Sequence, residues 1–374
     1  MFNTTEALQD IVYNIKIDRD NLQISHAKLS VNLHSNFNKI QIKKIPLTQQ
    51  LNYLNFHLFK LLHQIYFKGL YINKSNHRIQ TNEAILKNID AEQIDWEFYE
   101  KLDKNNQGSF WLHPSFHIVK KEIDGTLIAE FDNGFLQLKR KNHLPTAFQA
   151  ASIGSPVAIK LPSSFIDQSY YIAIGDNLGG FPPTKKYFYT ILIHFNFNSE
   201  AAISAMNSLT TELNKLKVMF RFKVLYNPLN YGMYTSGILQ VFSYEYDSSL
   251  YKKAISPILQ TTYKENKHYF NPEIPIFNKL LAPGIGLTER PHPRIRFKHT
   301  IDSEVNYCEF IADALLEAYQ NNDESPKDRM KYIIKHFESK GVDLNCAYLN
   351  SEFEDIYTPL NLDRCLCVSP ELLS

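Results

Sequence analysis

The chain has 374 residues, 44% of them hydrophobic, and its 40 Lys and Arg residues are nearly balanced by 39 Asp and Glu residues. A formal charge of +1 gives no indication of a nucleic-acid or membrane partner, and four cysteines at no recognised metal-ligand spacing exclude a disulfide scaffold and argue against a zinc site. Because the sequence has neither an apolar run long enough to span a bilayer nor the features of a signal peptide, we expect a cytoplasmic globular protein of one large or two ordinary domains.

Two amphipathic helices are predicted in the N-terminal region. Apolar residues recur at helical spacing after Thr5, and again over a longer segment from Thr48 to Leu70. The period of the apolar pattern changes near residue 105. We therefore predict a mostly helical region over residues 1–105 and an α+β domain over residues 106–374.

A segment rich in short strands follows this boundary. Asp124-Gly125 and Asn133-Gly134 are turn signals between strand-like runs, which predicts a meander of two hairpins. Further strands are predicted over Gly154–Pro162 and Tyr170–Gly175. The Gly179-Gly180 pair lacks the Lys-Ser/Thr ending of a phosphate-binding loop, so it does not indicate a nucleotide site.

The segment from Lys186 to Phe242 is predicted to form the centre of the fold. Its apolar periodicity gives a strand, a helix capped by Asn198 or Ser199, a second strand, a loop and a third strand. In the second strand, apolar residues alternate with Arg221, Lys223 and Leu225. The apolar set is therefore predicted to face the core, and the other set to face the opposite side of the sheet.

Lys223 is the candidate general base of the chain. A lysine that is fixed on a strand and partly desolvated by its neighbours can lose its proton near neutral pH. The alternative is an ordinary solvated lysine on a strand, and the alternating pattern alone does not separate these two interpretations.

The most concentrated positive charge of the chain comes later. The ten-residue segment 290–299 contains Arg290, His292, Arg294, Arg296, Lys298 and His299. Because an arginine fork matches two phosphate oxygens, this segment is a candidate phosphate-binding element, and the alternative is a solvated basic hairpin. Two amphipathic helices close the fold, and the second has a cap at Ser325 and ends before Gly341.

Seven sequence blocks, in a fixed order, resemble the HopA-type family of bacterial type III effectors and their relatives outside pathogens. They are GSPVAIKLP, YYIAIGDN, KYFYTIL, FRFKVL, NYGMYTSGILQVF, LLAPGIGLTER and CEFIADALLEAY, and they span roughly residues 150 to 320. The resemblance implies an α+β fold with a mixed or antiparallel central sheet and flanking helices. It also implies a C-terminal part distantly similar to phosphothreonine lyases and a smaller helical N-terminal part.

The resemblance also implies a reaction. In gene clusters for class V lanthipeptides and thioamitides, family members act beside an aminoglycoside-phosphotransferase-like kinase that phosphorylates Ser or Thr of a precursor peptide. The family member then eliminates phosphate to leave a dehydroamino acid, and no metal or organic cofactor is implied. The alternatives are a catalytically degenerate protein that binds a peptide or a kinase on the same fold, and an effector injected into host cells.

Residue roles follow from the same resemblance. Lys223 matches the lysine that removes the α-proton, and Tyr189 stands where phosphothreonine lyases carry a histidine that helps the leaving group. The substrate-binding candidates are Lys186, Tyr231, Arg290, Arg294, Arg296 and Lys298. The chain departs from the family pattern in the loop Tyr231–Thr235, which lacks an Arg and an Asp of many relatives, and at Tyr307, where an Arg is common.

Overall fold

The computed structural model describes residues 4–27, 31–34, 39–70, 94–132, 134–167, 169–177, 189–243, 249–290, 307–350 and 353–360. The helices in these segments are α1 (Thr4–Asn14), α2 (Lys39–Ile42), α3 (Leu47–Leu62), α4 (Trp96–Asn105), α5 (Arg140–His143), α6 (Ser199–Lys215), α7 (Ser256–Asn266), α8 (Cys308–Gln320) and α9 (Pro326–Ser339). A π-helical turn, His63–Phe67, continues α3, and another, Leu250–Ile255, precedes α7. None of the described helices is both long and apolar enough to cross a membrane.

The strands in these described segments form three sheets. They are β1 (Ile15–Asp18), β2 (Gln23–His26), β3 (Val31–His34), β4 (Phe110–Lys121), β5 (Leu127–Phe131), β6 (Gly134–Leu138), β7 (Pro156–Pro162), β8 (Ser164–Asp167), β9 (Tyr170–Ile174), β10 (Tyr189–Phe195), β11 (Met219–Leu225), β12 (Gly237–Ser243), β13 (Lys279–Ala282) and β14 (Ile285–Glu289). The central sheet has the order β13-β14-β10-β12-β11-β9-β8, and its pairings are antiparallel. The predicted fold class, an antiparallel central sheet with flanking helices, is confirmed.

The central unit has the predicted order of strand, helix, strand, loop and strand, from β10 through α6 and β11 to β12. Asn198 caps α6, since its side-chain oxygen accepts a hydrogen bond from the Ala201 N–H at 3.0 Å. The apolar stripe of α6 covers one face of the central sheet. The buried core between them includes Met206, Leu209, Leu213, Phe220, Phe222 and Val224.

A helical layer covers part of the opposite face. Here α1 and α3 share a single core with α8 and α9, and this core also contains Leu192 of β10. The N-terminal helices therefore do not form a core of their own. The division of the chain near residue 105 stays a prediction.

Candidate functional site

Lys223 lies near the middle of β11 and is only 6% exposed. Successive strand residues point to opposite faces, so Phe222 enters the core under α6 while Lys223 points to the other side of the sheet. Its cross-strand neighbours are Ile172 on β9 and Ile238 on β12, both buried. The lysine side chain therefore leaves a central strand between two apolar neighbours.

Arg221 lies on the same face, two residues before Lys223, and is paired with Gln240 on β12. Its guanidinium carbon lies 5.8 Å from the centre of the Phe242 ring. Burial lowers the pKa of Arg221, the positive charge of Arg290 acts in the same direction, and the carboxylate of Asp167 opposes them. The two guanidinium groups are thus close enough for their charges to interact.

Arg290 follows the last residue of β14, and its side chain is exposed. Its backbone N–H donates to the Thr190 carbonyl at 2.9 Å, which extends the pairing of β10 with β14 by one step. In this register Arg290 and Thr190 face the same side as Lys223. We call this side of the central sheet the Lys223 face. Its described polar residues include Asp167, Tyr170, Thr190, His194, Arg221, Lys223, Gln240 and Arg290, and Arg290 lies three strand positions from β11.

The Lys223 face is suited to binding an anion. In the described part of the chain, no carboxylate pairs with Lys223 or Arg290. Arginine donates two parallel hydrogen bonds to phosphate or carboxylate oxygens, and lysine adds a compact charge. The described residues contain no cluster of His, Cys, Asp and Glu that could hold a metal ion.

His194 shares this face of the sheet but is enclosed by the helical layer. Its Nδ1 lies 2.8 Å from the Asn278 side-chain oxygen, and its ring contacts the edge of Phe67. Burial lowers its pKa to about 4, so the ring is neutral at pH 7. With 1% exposure it is closed to a substrate.

A small pocket lies between β14 and α8, beside the Phe67 and Asn278 side chains that contact His194. It is lined by Phe67, Ile276, Phe277, Asn278, Thr288, Tyr307 and Cys308. None of its lining residues lies on β11, the strand of Lys223. Tyr307, one of these lining residues, is buried in the shared core.

Tyr189 lies on the opposite face of the central sheet, packed against the core under α6. Its hydroxyl donates to the Glu289 carboxylate and lies 2.5 Å from the Tyr357 hydroxyl. Glu289 is 1% exposed, and burial raises its pKa. The expectation that Tyr189 donates a proton beside Lys223 does not fit this geometry and is corrected, because the sheet separates the two side chains.

Tyr231 is engaged in packing. Its hydroxyl donates to the Leu225 carbonyl at 2.7 Å, and its ring is stacked with Phe197 and contacts the edge of Phe98. Burial raises its pKa well above the usual value, which keeps the hydroxyl protonated. Donation from this hydroxyl to a phosphate oxygen would require the bond to Leu225 to break.

Four of the predicted substrate-binding residues lie outside the described residues: Lys186, Arg294, Arg296 and Lys298. Conversely, the sequence-based site omits Arg221 and Gln240, although both lie on the Lys223 face. The signal for Arg221 is the alternation in FRFKVL, which places it on the same side of the strand as Lys223. Gln240 has no such local signal, since its position depends on pairing between β11 and β12.

The comparison with models of protein families agrees with the resemblance found in the sequence. The model of the HopA1 effector protein family matches residues 161–349, which include Arg221, Lys223 and Arg290. A solved effector protein from Pseudomonas syringae pv. syringae strain 61 is 12% identical, with a TM-score of 0.39 and coverage of 81% of this chain and 99% of the effector. One from Pseudomonas syringae pv. tomato strain DC3000 is 13% identical, with a TM-score of 0.37 and coverage of 79% and 95%.

A search of curated proteins finds no match. The family match, in contrast, spans just over half of the chain and contains the whole segment from β9 to α9. On this basis the chain belongs to the HopA1 effector protein family.

Proposed function

We propose that this protein is a lyase that eliminates phosphate from a phosphorylated Ser or Thr residue of a peptide. The observation that carries the proposal is the placement of Lys223 on one sheet face with Arg221 and Arg290. Such a face offers an amine as the base and two guanidinium groups for the phosphate oxygens.

The reaction needs no co-reactant. Lys223 Nζ takes the proton from Cα, the electron pair of that C–H bond becomes the second bond between Cα and Cβ, and the Cβ–O bond breaks. Phosphate leaves with the electron pair of the broken bond, and the peptide keeps a dehydroamino acid. Because the α-proton is weakly acidic, the base must lie close to it, and a lysine on a rigid strand meets that demand.

The two arginines stabilise the charge that grows on the departing phosphate. Charge-assisted hydrogen bonds of this kind contribute about 1.5–3 kcal/mol each. With Tyr189 on the other face, the phosphate is proposed to leave as an anion held by Arg221 and Arg290. The basic segment that contains Arg294, Arg296 and Lys298 is proposed to add further cations.

The substrate of such a lyase must come from a kinase. We propose an aminoglycoside-phosphotransferase-like kinase as the partner and a ribosomally made precursor peptide, as in lanthipeptide biosynthesis, as the substrate. A kinase-like reading frame and a small peptide gene rich in Ser, Thr and Cys beside this gene would support this assignment.

The test uses a peptide with one phosphothreonine and detects the alkene by thiol addition and mass spectrometry. We expect wild-type protein to form the alkene and Lys223→Ala to lower the rate about 10²- to 10⁴-fold, the usual loss for a general base. Lys215→Ala is the matched control, because Lys215 is an exposed lysine on α6. Release of phosphate with a retained hydroxyl group would identify a phosphatase and contradict the proposal.

A second candidate is a protein on the same fold that binds a peptide or a kinase without turnover. The position of Tyr189 on the opposite face favours it. Of the possible proton donors described on the Lys223 face, Tyr170 is buried and donates to the Thr235 carbonyl at 3.1 Å, and His194 is buried. Calorimetry with phosphorylated and unmodified peptide separates the candidates. A binder that does not use phosphate binds both peptides equally, whereas a lyase prefers the phosphorylated one.

A further inference from the structure

Glu289 is a buried carboxylate on the side of the central sheet opposite Lys223. One of its oxygens accepts hydrogen bonds from the hydroxyls of Tyr189 and Tyr357, and the other accepts the Asn350 N–H at 2.8 Å. A carboxylate removed from water is costly unless its oxygens are bonded, and here both are. We call these four residues, Tyr189, Glu289, Asn350 and Tyr357, the Glu289 clamp.

The clamp holds the backbone at the end of β14. The Glu289 N–H donates to the Tyr348 carbonyl at 2.7 Å, and the Arg290 carbonyl accepts a hydrogen bond from the Asn350 side-chain amide at 2.9 Å. On the other side, the Arg290 N–H donates to the Thr190 carbonyl. Both backbone polar groups of Arg290 are therefore fixed, although its side chain is exposed.

We infer that the Glu289 clamp positions Arg290 for a phosphate group on the Lys223 face, an inference that rests on the proposed function. Successive residues at the end of a strand point to opposite sides. The clamp lies on the buried side of the sheet, where it fixes the backbone of Arg290 and so the direction of its side chain. The clamp itself does not occupy the side proposed to bind phosphate. An arginine that is already oriented loses less conformational freedom when it binds.

This inference gives Tyr189 a different role from the one expected from the sequence. Tyr189 donates to Glu289, next to Arg290, and acts through that arginine rather than on the substrate. Tyr357 and Asn350 have the same role from the C-terminal part of the chain. Through Asn350 and Tyr357, the C-terminal part of the chain would therefore influence how Arg290 binds phosphate.

Tyr357→Phe and Tyr348→Phe are matched variants that test the inference. Each removes one hydroxyl that donates to a carboxylate at 2.7 Å, Glu289 for Tyr357 and Asp355 for Tyr348. Both hydroxyls hold the same C-terminal part of the chain, but only Tyr357 belongs to the clamp. Affinities for a phosphothreonine peptide and its unmodified form are measured by calorimetry, with Lys223→Ala present in every arm to prevent turnover.

We expect Tyr357→Phe to weaken binding of the phosphorylated peptide about five- to tenfold, the effect of one hydrogen bond. Tyr348→Phe should change it by less than about twofold, and neither variant should change the affinity for the unmodified peptide. Asn350→Ala is the second clamp variant. It removes the bond to the Arg290 carbonyl and keeps the backbone bond to Glu289, so it tests the same link with less risk to folding.

A double-mutant cycle with Arg290→Ala separates positioning from general stability. If the clamp acts through Arg290, Tyr357→Phe has no further effect on phosphopeptide affinity once Arg290 is removed. An equal loss with and without Arg290 would overturn the inference and leave the proposed function standing. If the starting protein binds phosphorylated and unmodified peptide equally, the proposed function and the inference fall together.

Discussion

His63 and His194 both contact the Phe67 ring, which links the helical layer to the central sheet. The His63 and Phe67 rings are stacked with their centres 5.0 Å apart. The His194 ring makes an edge contact with Phe67, with the ring centres 5.6 Å apart. Each histidine is 1% exposed. Burial lowers both pKa values, to about 4 for His194 and well below the usual range for His63.

These lowered pKa values predict a loss of stability in acid. Near pH 6.5 the unfolded chain begins to bind a proton at each histidine, whereas folded His194 stays neutral until about pH 4. The free energy of unfolding therefore falls as the pH drops from about 6.5 to 4, with about 3 kcal/mol from His194. Urea unfolding across this range should show a smaller fall for His194→Gln. The exposed His268→Gln should follow wild type, and an equal fall in all three proteins would contradict the assignment.

The catalytic assignments also show what one residue pattern can predict. Alternation in β11 correctly separates Lys223 from the core-facing Phe222, because the strand period is a local property. Tyr189 was assigned from the family resemblance, but its own strand alternates too. In β10, Tyr189 is on the same side as Ile191 and Ile193, and Thr190 is on the other side. The alternation therefore predicts that Tyr189 faces the apolar core, as the structure shows.

At the scale of elements, Arg329 joins the start of α9 to the junction between α1 and β1. Its guanidinium donates to the carbonyls of Val12 and Ile15, at 3.2 and 2.7 Å, and to Glu324 at 2.5 Å. Arg329 is 6% exposed. The carbonyls at the end of a helix have no partner within the helix, so this arginine satisfies groups that would otherwise be buried alone.

Arg329→Met should therefore lower the free energy of unfolding by about 3 kcal/mol, the cost of leaving buried polar partners without a donor. The measurement is chemical denaturation followed by circular dichroism. Lys331→Met on the same helix is the control, because its ion pair with Asp328 is exposed and should leave stability almost unchanged. Equal losses in the two variants would contradict a structural role for the buried contacts.

Local signals account for the elements that were predicted. Ser325 caps α9 and Asn198 caps α6, as expected from the sequence, and the β4–β6 meander turns at Gly125 with positive φ. The elements that local signals do not predict depend on distant partners. The four-residue strands β1 and β2 are too short to show a period, and β14 joins the central sheet only by pairing with β10, about ninety residues earlier.

At the scale of the whole molecule, the helices of the N-terminal region and the two C-terminal helices share one core. Leu58 on α3 is fully buried there, together with Ile311 of α8 and Leu192 of the central sheet. A change of apolar period near residue 105 indicates a boundary along the chain. The change of period cannot show that helices on both sides of residue 105 pack together, because the contacting residues are far apart in the sequence.

This shared core predicts that the helical layer and the central sheet unfold together. Leu58→Ala should lower stability by about 2–5 kcal/mol, as large-to-small core changes do. Trp111 packs against the cluster that contains Ile172 and Ile238, so in a Trp96→Phe background its fluorescence reports on the sheet while circular dichroism reports mainly on the helices. We expect both midpoints to shift by the same amount in Leu58→Ala, and neither to shift in Leu47→Ala, which changes an exposed residue of α3. A shift seen by circular dichroism alone would mean that the N-terminal helices unfold as a separate domain.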